Sequence, residues 1–142
     1  MSGRRLVADE DLATLLRGVK TVAVVGLSPH PDRDSHRVAA YLQRAGYRIV
    51  PIHPASASIL GEPSYPSLAA IPRDVRVDLV DVFRRPDALP GVVDDAILLG
   101  PPALWLQFGV THPEAEAAAL AAGMDLVVDR CIMVEHRRLL GG

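Results

Sequence analysis

A chain of 142 residues suffices for one domain around one core, and 49% of it is hydrophobic while only 4% is aromatic. Its 15 basic and 17 acidic residues leave a net charge of −2, which offers no electrostatic handle on DNA, RNA or an anionic membrane. A single cysteine excludes an internal disulfide framework. No apolar run approaches the roughly 20 residues that span a bilayer. MSGRRLVADEDL at the start has two arginines but no apolar stretch of signal-peptide length, so a reducing, cytoplasmic compartment is expected.

Asp9–Arg17 reads as a short helix with Leu12, Leu15 and Leu16 on one face and Gly18 as its stop. Thr21–Val25 is a nearly all-apolar strand, hence central. After the loop LSPHPDRDS, His36–Ala45 is helical, with Val38, Leu42 and Ala45 at i, i+4 and i+7 and Gly46 as terminator. Tyr47–Ile52 is the second strand. Pro54–Pro72, with its prolines, is loop-like, with room for a helical turn at Ser67–Ala70. Arg76–Val82 is the third strand, and Pro86 opens a helix through Val93, Ala96, Ile97 and Leu99 that stops at Gly100. Ala103–Phe108 is the fourth strand. Thr111-His-Pro-Glu114 has the spacing of a capping box ahead of an alanine-rich helix ending at Gly123. Leu126–Asp129 is the fifth strand and Cys131–Leu139 a final helix.

Strands alternating with helical crossovers predict an α/β fold: one Rossmann-like, doubly wound domain over residues 1–142 with a five-stranded parallel sheet. The expected strand order is 3-2-1-4-5. That order puts the switch point, where open sheets of this kind bind ligands, between strands one and four.

The stretch 20–54 carries the strongest functional signal. A strand ending on a glycine, then a loop and a helix N-terminus, is how such sheets hold nucleotide phosphates. Gly26 lets backbone pass close to a ligand, Ser28 and Ser35 offer hydroxyls, and Arg33 and Arg37 offer charge. The same residues would equally serve a tight turn at Gly26 and a helix cap at Asp34 or Ser35. There is one glycine where a dinucleotide fingerprint wants three, and His53 stands at the end of strand two where an acid would bind the ribose of NAD. A histidine there suits a phosphorylated ribose, or faces solvent. At the end of strand three, Phe83 is placed to cover an adenine and Arg84 to pair a diphosphate; a structural Phe with a solvated Arg is the alternative. Gln107 and Gly109 end strand four near the crevice, and Trp105 belongs to the core. The lone Cys131 sits at a helix start, where its thiol is either activated or an inert small hydrophobe. His136 follows Glu135 directly and makes no zinc motif.

Taken in order, TVAVVGLS, SHRVAAYLQRAGYRIVPIHP, DLVDVFR, LWLQFGV and VDRCIMVEH resemble the small stand-alone CoA-binding proteins of bacteria. Those proteins are in turn similar to the CoA-binding domain of the succinyl-CoA synthetase alpha subunit. The resemblance covers about residues 11–140. It implies a domain that binds coenzyme A, or an acyl-CoA, through its adenosine 3′-phosphate diphosphate end. By that resemblance Gly26, Leu27 and Ser28 hold the diphosphate, with Ser35 and His36 in support. His53 and Pro54 lie beside the phosphorylated ribose, and Val82, Phe83 and Arg84 border the adenine and diphosphate. Gln107 and Gly109 flank the pantetheine path. Relatives often carry Asn-Pro and then a basic residue after strand two, where this chain has His53-Pro54-Ala55.

The expected function is therefore binding of a small CoA ligand, without nucleic acid, membrane, metal or evident catalytic residues, and with a homodimer as a possible assembly. Two readings stand beside it. One is an NAD(P)-binding regulator or reductase, and the other is a thiol enzyme acting on CoA through Cys131.

Overall fold

The computed structural model describes residues 2–141; residues 1 and 142, the ends of the expected domain, lie outside the described residues. The chain runs α1 (Asp9–Gly18), β1 (Thr21–Val25), α2 (Asp34–Arg44) and β2 (Arg48–Ile52). A short hairpin of β3 (Ser58–Ile59) and β4 (Glu62–Pro63) follows. Then come a 3-10 turn at Leu68–Ala70, β5 (Leu79–Val82), a second 3-10 turn at Pro86–Ala88, and α3 (Leu89–Leu99). The remainder is β6 (Ala103–Leu106), α4 (Pro113–Ala121), β7 (Asp125–Val127) and α5 (Ile132–His136), which continues as a π-helical turn at Arg137–Gly141.

Five parallel strands form one Rossmann-like sheet in the order β2-β1-β5-β6-β7. Along β1, Val22 and Val24 point into a layer with Leu12, Leu16, Leu42 and Ile132 of α1, α2 and α5. Ala23 and Val25 point into the opposite layer with Val93, Ala96, Ala115 and Ala119 of α3 and α4. The period of two thus sends alternate residues of one apolar strand into two separate cores. Trp105 lies fully buried in the first layer and donates from Nε1 to the carbonyl of Arg130, 2.8 Å away.

The fold class is as expected, but the strand order is not. Counting the parallel strands alone, it is 2-1-3-4-5 rather than 3-2-1-4-5, because β5 pairs with β1 in register Val24 to Asp81. The switch point therefore lies between strands one and three. The physical reason is in β2. Pro51 has no N–H to give to a further strand, and proline in a sheet belongs on an edge. The Pro51 carbonyl instead accepts from Tyr65 N (3.0 Å), and His53 N donates to the Tyr65 carbonyl (2.9 Å). One bridge, Ile52 to Tyr65, closes that edge. The other edge is closed the same way by Arg5 against Leu126. Single-residue closures leave little open edge for another chain to extend.

The third, fourth and fifth parallel strands are shorter than expected, at Leu79–Val82, Ala103–Leu106 and Asp125–Val127, and the helix starts change as well. α2 begins at Asp34, two residues before His36, with Arg33 as its N-cap, and neither Asp34 nor Ser35 caps it. The capping box does not use Thr111 and Glu114. His112 is the N-cap, with Nδ1 accepting from Ala115 N (3.1 Å), while Glu116 returns the bond by accepting from His112 N (2.8 Å). Cys131 is the N-cap of α5, and the α-helical part stops at His136 rather than Leu139.

The carboxyl ends of α5 and the amino end of α1 are joined through Arg138. Its Nη1 and Nη2 donate to Asp9 Oδ2 and Oδ1 (2.9 and 2.7 Å), and its Nε donates to Glu135 Oε2 (2.8 Å). Burial raises the Glu135 carboxyl's pKa, but hydrogen bonds from Arg138 and Arg130 outweigh that and hold it below the ordinary range.

Candidate functional site at the carboxyl edge

Four strands hand their chains to loops side by side, and an N–H at the start of each loop is held by the neighbouring strand, the first in three loops and the third in the loop after β7. Gly26 N donates to the Ile52 carbonyl (3.1 Å), Phe83 N to Val25 (2.8 Å), Gln107 N to Val82 (3.3 Å) and Arg130 N to Leu106 (3.4 Å). This stitching lines up Gly26, Phe83, Gln107 and Arg130 along the carboxyl edge.

Gly26 and Phe83 meet at the switch point. Gly26 has φ +81°, a backbone region that L side chains rarely adopt, and a Cβ there would collide with the Phe83 carbonyl. The same Cβ position lies 3.1 Å from Arg84 Cδ, so the Arg84 stem runs over the glycine. The close approach therefore brings two loops and one cation to a single point.

Beyond Gly26 opens a cleft bordered by Ser28, His30, Arg33, Ser35 and Phe83. The loop is pre-shaped by its own bonds. Ser28 N donates to Ser35 Oγ (3.0 Å), and His30 N donates to Ser28 Oγ (3.1 Å). Both hydroxyl oxygens are thus used as acceptors, which leaves both O–H groups to donate into the cleft. The first intrahelical bond of α2 runs from Arg37 N to the Arg33 carbonyl, and the N-cap supplies no side-chain bond. The first turn, whose N–H groups have no side-chain cap, therefore borders the cleft with the positive end of the helix dipole. Asp32 and Asp34 also border the cleft, and Asp34 is paired with Arg37. The donor set is one for an anion: hydroxyls, amides and Arg33, with Arg84 beside them.

The other expected residues distribute unevenly. His36 is half-buried in the first turn of α2. His53 Nδ1 accepts from both Ala55 N and Ser56 N (3.1 Å each), so the ring is fixed with Nε2 as its donor, and exposed Pro54 follows it. Leu27 and Val82 are fully buried, so their side chains face the two cores and only their backbones reach the edge. Gln107 is buried too, and its Oε1 accepts from Ile132 N (3.1 Å), anchoring α5. Gly109, at φ +74°, donates from N to Asp129 Oδ1 (2.9 Å). Asp129 itself takes φ +59°, so two left-handed residues hold these loops together.

Sequence reasoning missed three features. Exposed Phe108 borders crevices on both of its sides, one with Arg84 and Gly109, the other with Cys131, Met133 and Val134. Phe83 borders both of those and the Gly26 cleft, so the three run together along the edge. Asp81, in the middle of β5 between Val24 and Trp105, is the third. It is fully buried, and among the described residues neither carboxylate oxygen has a hydrogen-bond partner. Burial pushes its pKa well above the ordinary aspartate range. The visible signal was an acid interrupting the apolar run LVDV.

Among the described residues no group of three or more His, Cys, Asp or Glu is placed to hold a metal ion. No helix among them is long and apolar enough to cross a membrane.

Known proteins share this fold. The sequence profile of a family described as a CoA binding domain matches residues 20–137. The uncharacterized protein YneT of Bacillus subtilis (strain 168) is 39% identical over 126 residues, covering 89% of this chain and 92% of its own. Among solved structures, a hypothetical protein from Pyrococcus horikoshii OT3 superposes with a TM-score of 0.91 at 37% identity over 99% of each chain. A protein from Thermus thermophilus, cell-free ID.343, superposes at 0.89 with 40% identity, over 94% of this chain and all (100%) of its own. These matches agree with the resemblance read from the sequence motifs: the chain belongs to the family of CoA binding domains.

Proposed function

We propose that the protein binds coenzyme A, or an acyl-CoA, with the diphosphate in the cleft between Gly26 and the start of α2. The observation that carries this reading is the uncapped first turn of α2 opening on a glycine that tolerates no Cβ. A diphosphate needs several donors converging on a small volume, and Ser28, Ser35, Arg33 and the first-turn amides supply them. Arg84, whose stem crosses Gly26, supplies a second charge. His53, with Nε2 free to donate, is the group on this chain suited to the 3′-phosphate. Phe83 covers the adenine side of the cleft. The role is to hold the ligand, and the fully buried Leu27 and Val82 serve it only by setting the backbone.

Arg33→Ala and Arg84→Ala test this reading by calorimetric titration with CoA. Each removes a charge-assisted phosphate contact of about 1.5–3 kcal/mol, which corresponds to a loss of affinity of roughly ten- to a hundredfold. Unchanged affinity in both variants would put the phosphates elsewhere.

A further inference from the structure

We propose that the crevice between Phe108 and α5 is a subsite for the acyl end of an acyl-CoA, with Gln107 donating a hydrogen bond to the thioester carbonyl. The proposal rests on the CoA reading above and adds what the ligand carries at its sulfur.

Gln107 is the first observation. Only 5% of it is exposed, yet it borders the crevices on both sides of Phe108. Its one side-chain hydrogen bond among the described residues is the bond from Ile132 N to Oε1 at 3.1 Å. That bond fixes which end of the amide is which. The backbone N–H takes the oxygen, so the NH2 end is left as an unpartnered donor toward the crevice. The Gln107 amide nitrogen is not among the sealed, unpartnered side-chain atoms, so it opens on the crevice and is free to donate to a ligand there.

The second observation is independent of the first. Phe108 is 66% exposed and Val134 47% exposed, two large apolar side chains facing water across one crevice. Val38, Met133 and the buried Cys131 also line it, with the paired Asp34 and Arg37 at its polar side. Isolated exposed apolar residues need no explanation, but two framing a crevice bordered by a free amide donor describe a site for an alkyl group beside a carbonyl. The crevice is continuous with the diphosphate cleft through Phe83 and Asp34, which border both. A ligand anchored at Gly26 can therefore extend into it without leaving the surface. The free thiol of CoA would bring neither an alkyl chain nor a thioester carbonyl to this crevice, whereas a thioester with a short saturated chain brings both.

The test is calorimetric titration of the full chain with CoA, acetyl-CoA, hexanoyl-CoA and S-hexyl-CoA, a thioether that keeps the chain and lacks the carbonyl. Each buried methylene is worth about fourfold in affinity. Hexanoyl-CoA should then bind at least about tenfold tighter than acetyl-CoA, allowing for partial burial. Hexanoyl-CoA should also bind about three- to tenfold tighter than S-hexyl-CoA, through the Gln107 bond. In Val134→Asp the preference for hexanoyl over acetyl should collapse toward one. In Gln107→Glu, which in its ionised form keeps the acceptor for Ile132 N and has no donor, the preference for hexanoyl-CoA over S-hexyl-CoA should disappear at a pH where the carboxylate is ionised. Equal affinity of the wild-type protein for acetyl- and hexanoyl-CoA would overturn the subsite, and equal affinity for hexanoyl- and S-hexyl-CoA would overturn the role of Gln107. Failure to bind any of the four ligands would instead count against the CoA reading on which this rests.

Discussion

Replacing Gly26 by alanine should destabilise the protein by about 2–4 kcal/mol and weaken CoA binding in whatever fraction remains folded. Two costs combine. At φ +81° an L side chain is strained by about 1–2 kcal/mol. The new Cβ would also collide with the carbonyl of Phe83, which is backbone and moves only if the start of the β5 loop moves with it. That carbonyl is close because Phe83 N is tied to the Val25 carbonyl at 2.8 Å, one residue before the glycine. Separation of the two loops would also carry Arg84 away from the cleft. Gly26→Val should be worse on both counts. The glycine is thus a structural requirement of the switch point before it is a seat for phosphate. Urea unfolding followed by circular dichroism reads the stability, and calorimetry at a temperature below the melting transition reads the binding. A Gly26→Ala protein within about 0.5 kcal/mol of wild type would show that the loops can part at little cost.

Asp81→Val should act in the opposite direction, stabilising the protein at neutral pH by about 1–3 kcal/mol. Asp81 sits in the centre of the sheet with no partner for either oxygen among the described residues, flanked in register by Val24 and Trp105. Burial raises its pKa, so in the folded protein it resists ionisation. The sign of the pH effect follows. The unfolded chain releases this proton near the usual aspartate value and the folded chain releases it only at higher pH. Across that window the folded state holds more protons than the unfolded state. Stability from this group is complete below the unfolded value and falls as pH rises, by up to about 1.4 kcal/mol per pH unit. Glu135, held low by Arg138 and Arg130, works the other way and loses its contribution as pH falls through the acid range. The informative quantity is therefore the difference between variant and wild type at each pH. It should grow from the ordinary aspartate range upward, and Asp81→Asn should remove the same pH dependence. A difference that stays flat with pH would mean that Asp81 is ionised and solvated in the folded state.

Much of the fold is legible in the residues because burial leaves a pattern. VAVV and LVDV read as strands buried on both faces, and the i, i+4, i+7 spacing of Val38, Leu42 and Ala45 reads as a helix lying on one of them. Strand order is harder, because pairing between strands far apart in the chain leaves no local pattern. The one residue that bears on it is Pro51, which assigns β2 to an edge and so forces β5 to the other side of β1. The boundary of α2 shifted for a similar reason. The loop spends the Ser35 hydroxyl on Ser28 N, so the helix starts at Asp34 without a side-chain cap. In the candidate site, the gathering of Gly26, Ser28, Arg33 and Ser35 around one cleft was readable because a strand-end glycine, a short loop and a helix start bring them together. The use of Gln107 as an anchor for α5, and the pairing of Phe108 with Val134 across a crevice, depend on tertiary contacts that one-dimensional spacing does not encode.

The departure at His53-Pro54-Ala55 makes the nucleotide's ribose end the most revealing part of the ligand. His53 is the one residue of that segment whose ring is fixed by two backbone bonds, and its Nε2 is the donor left over. The measurement that tests the account most directly is calorimetric binding of CoA, dephospho-CoA, NAD and NADP to the wild-type protein under identical conditions. The account predicts CoA tightest, dephospho-CoA weaker by roughly tenfold or more through loss of a charge-assisted contact, and NAD and NADP weaker still. Preference for NAD or NADP over CoA would contradict it.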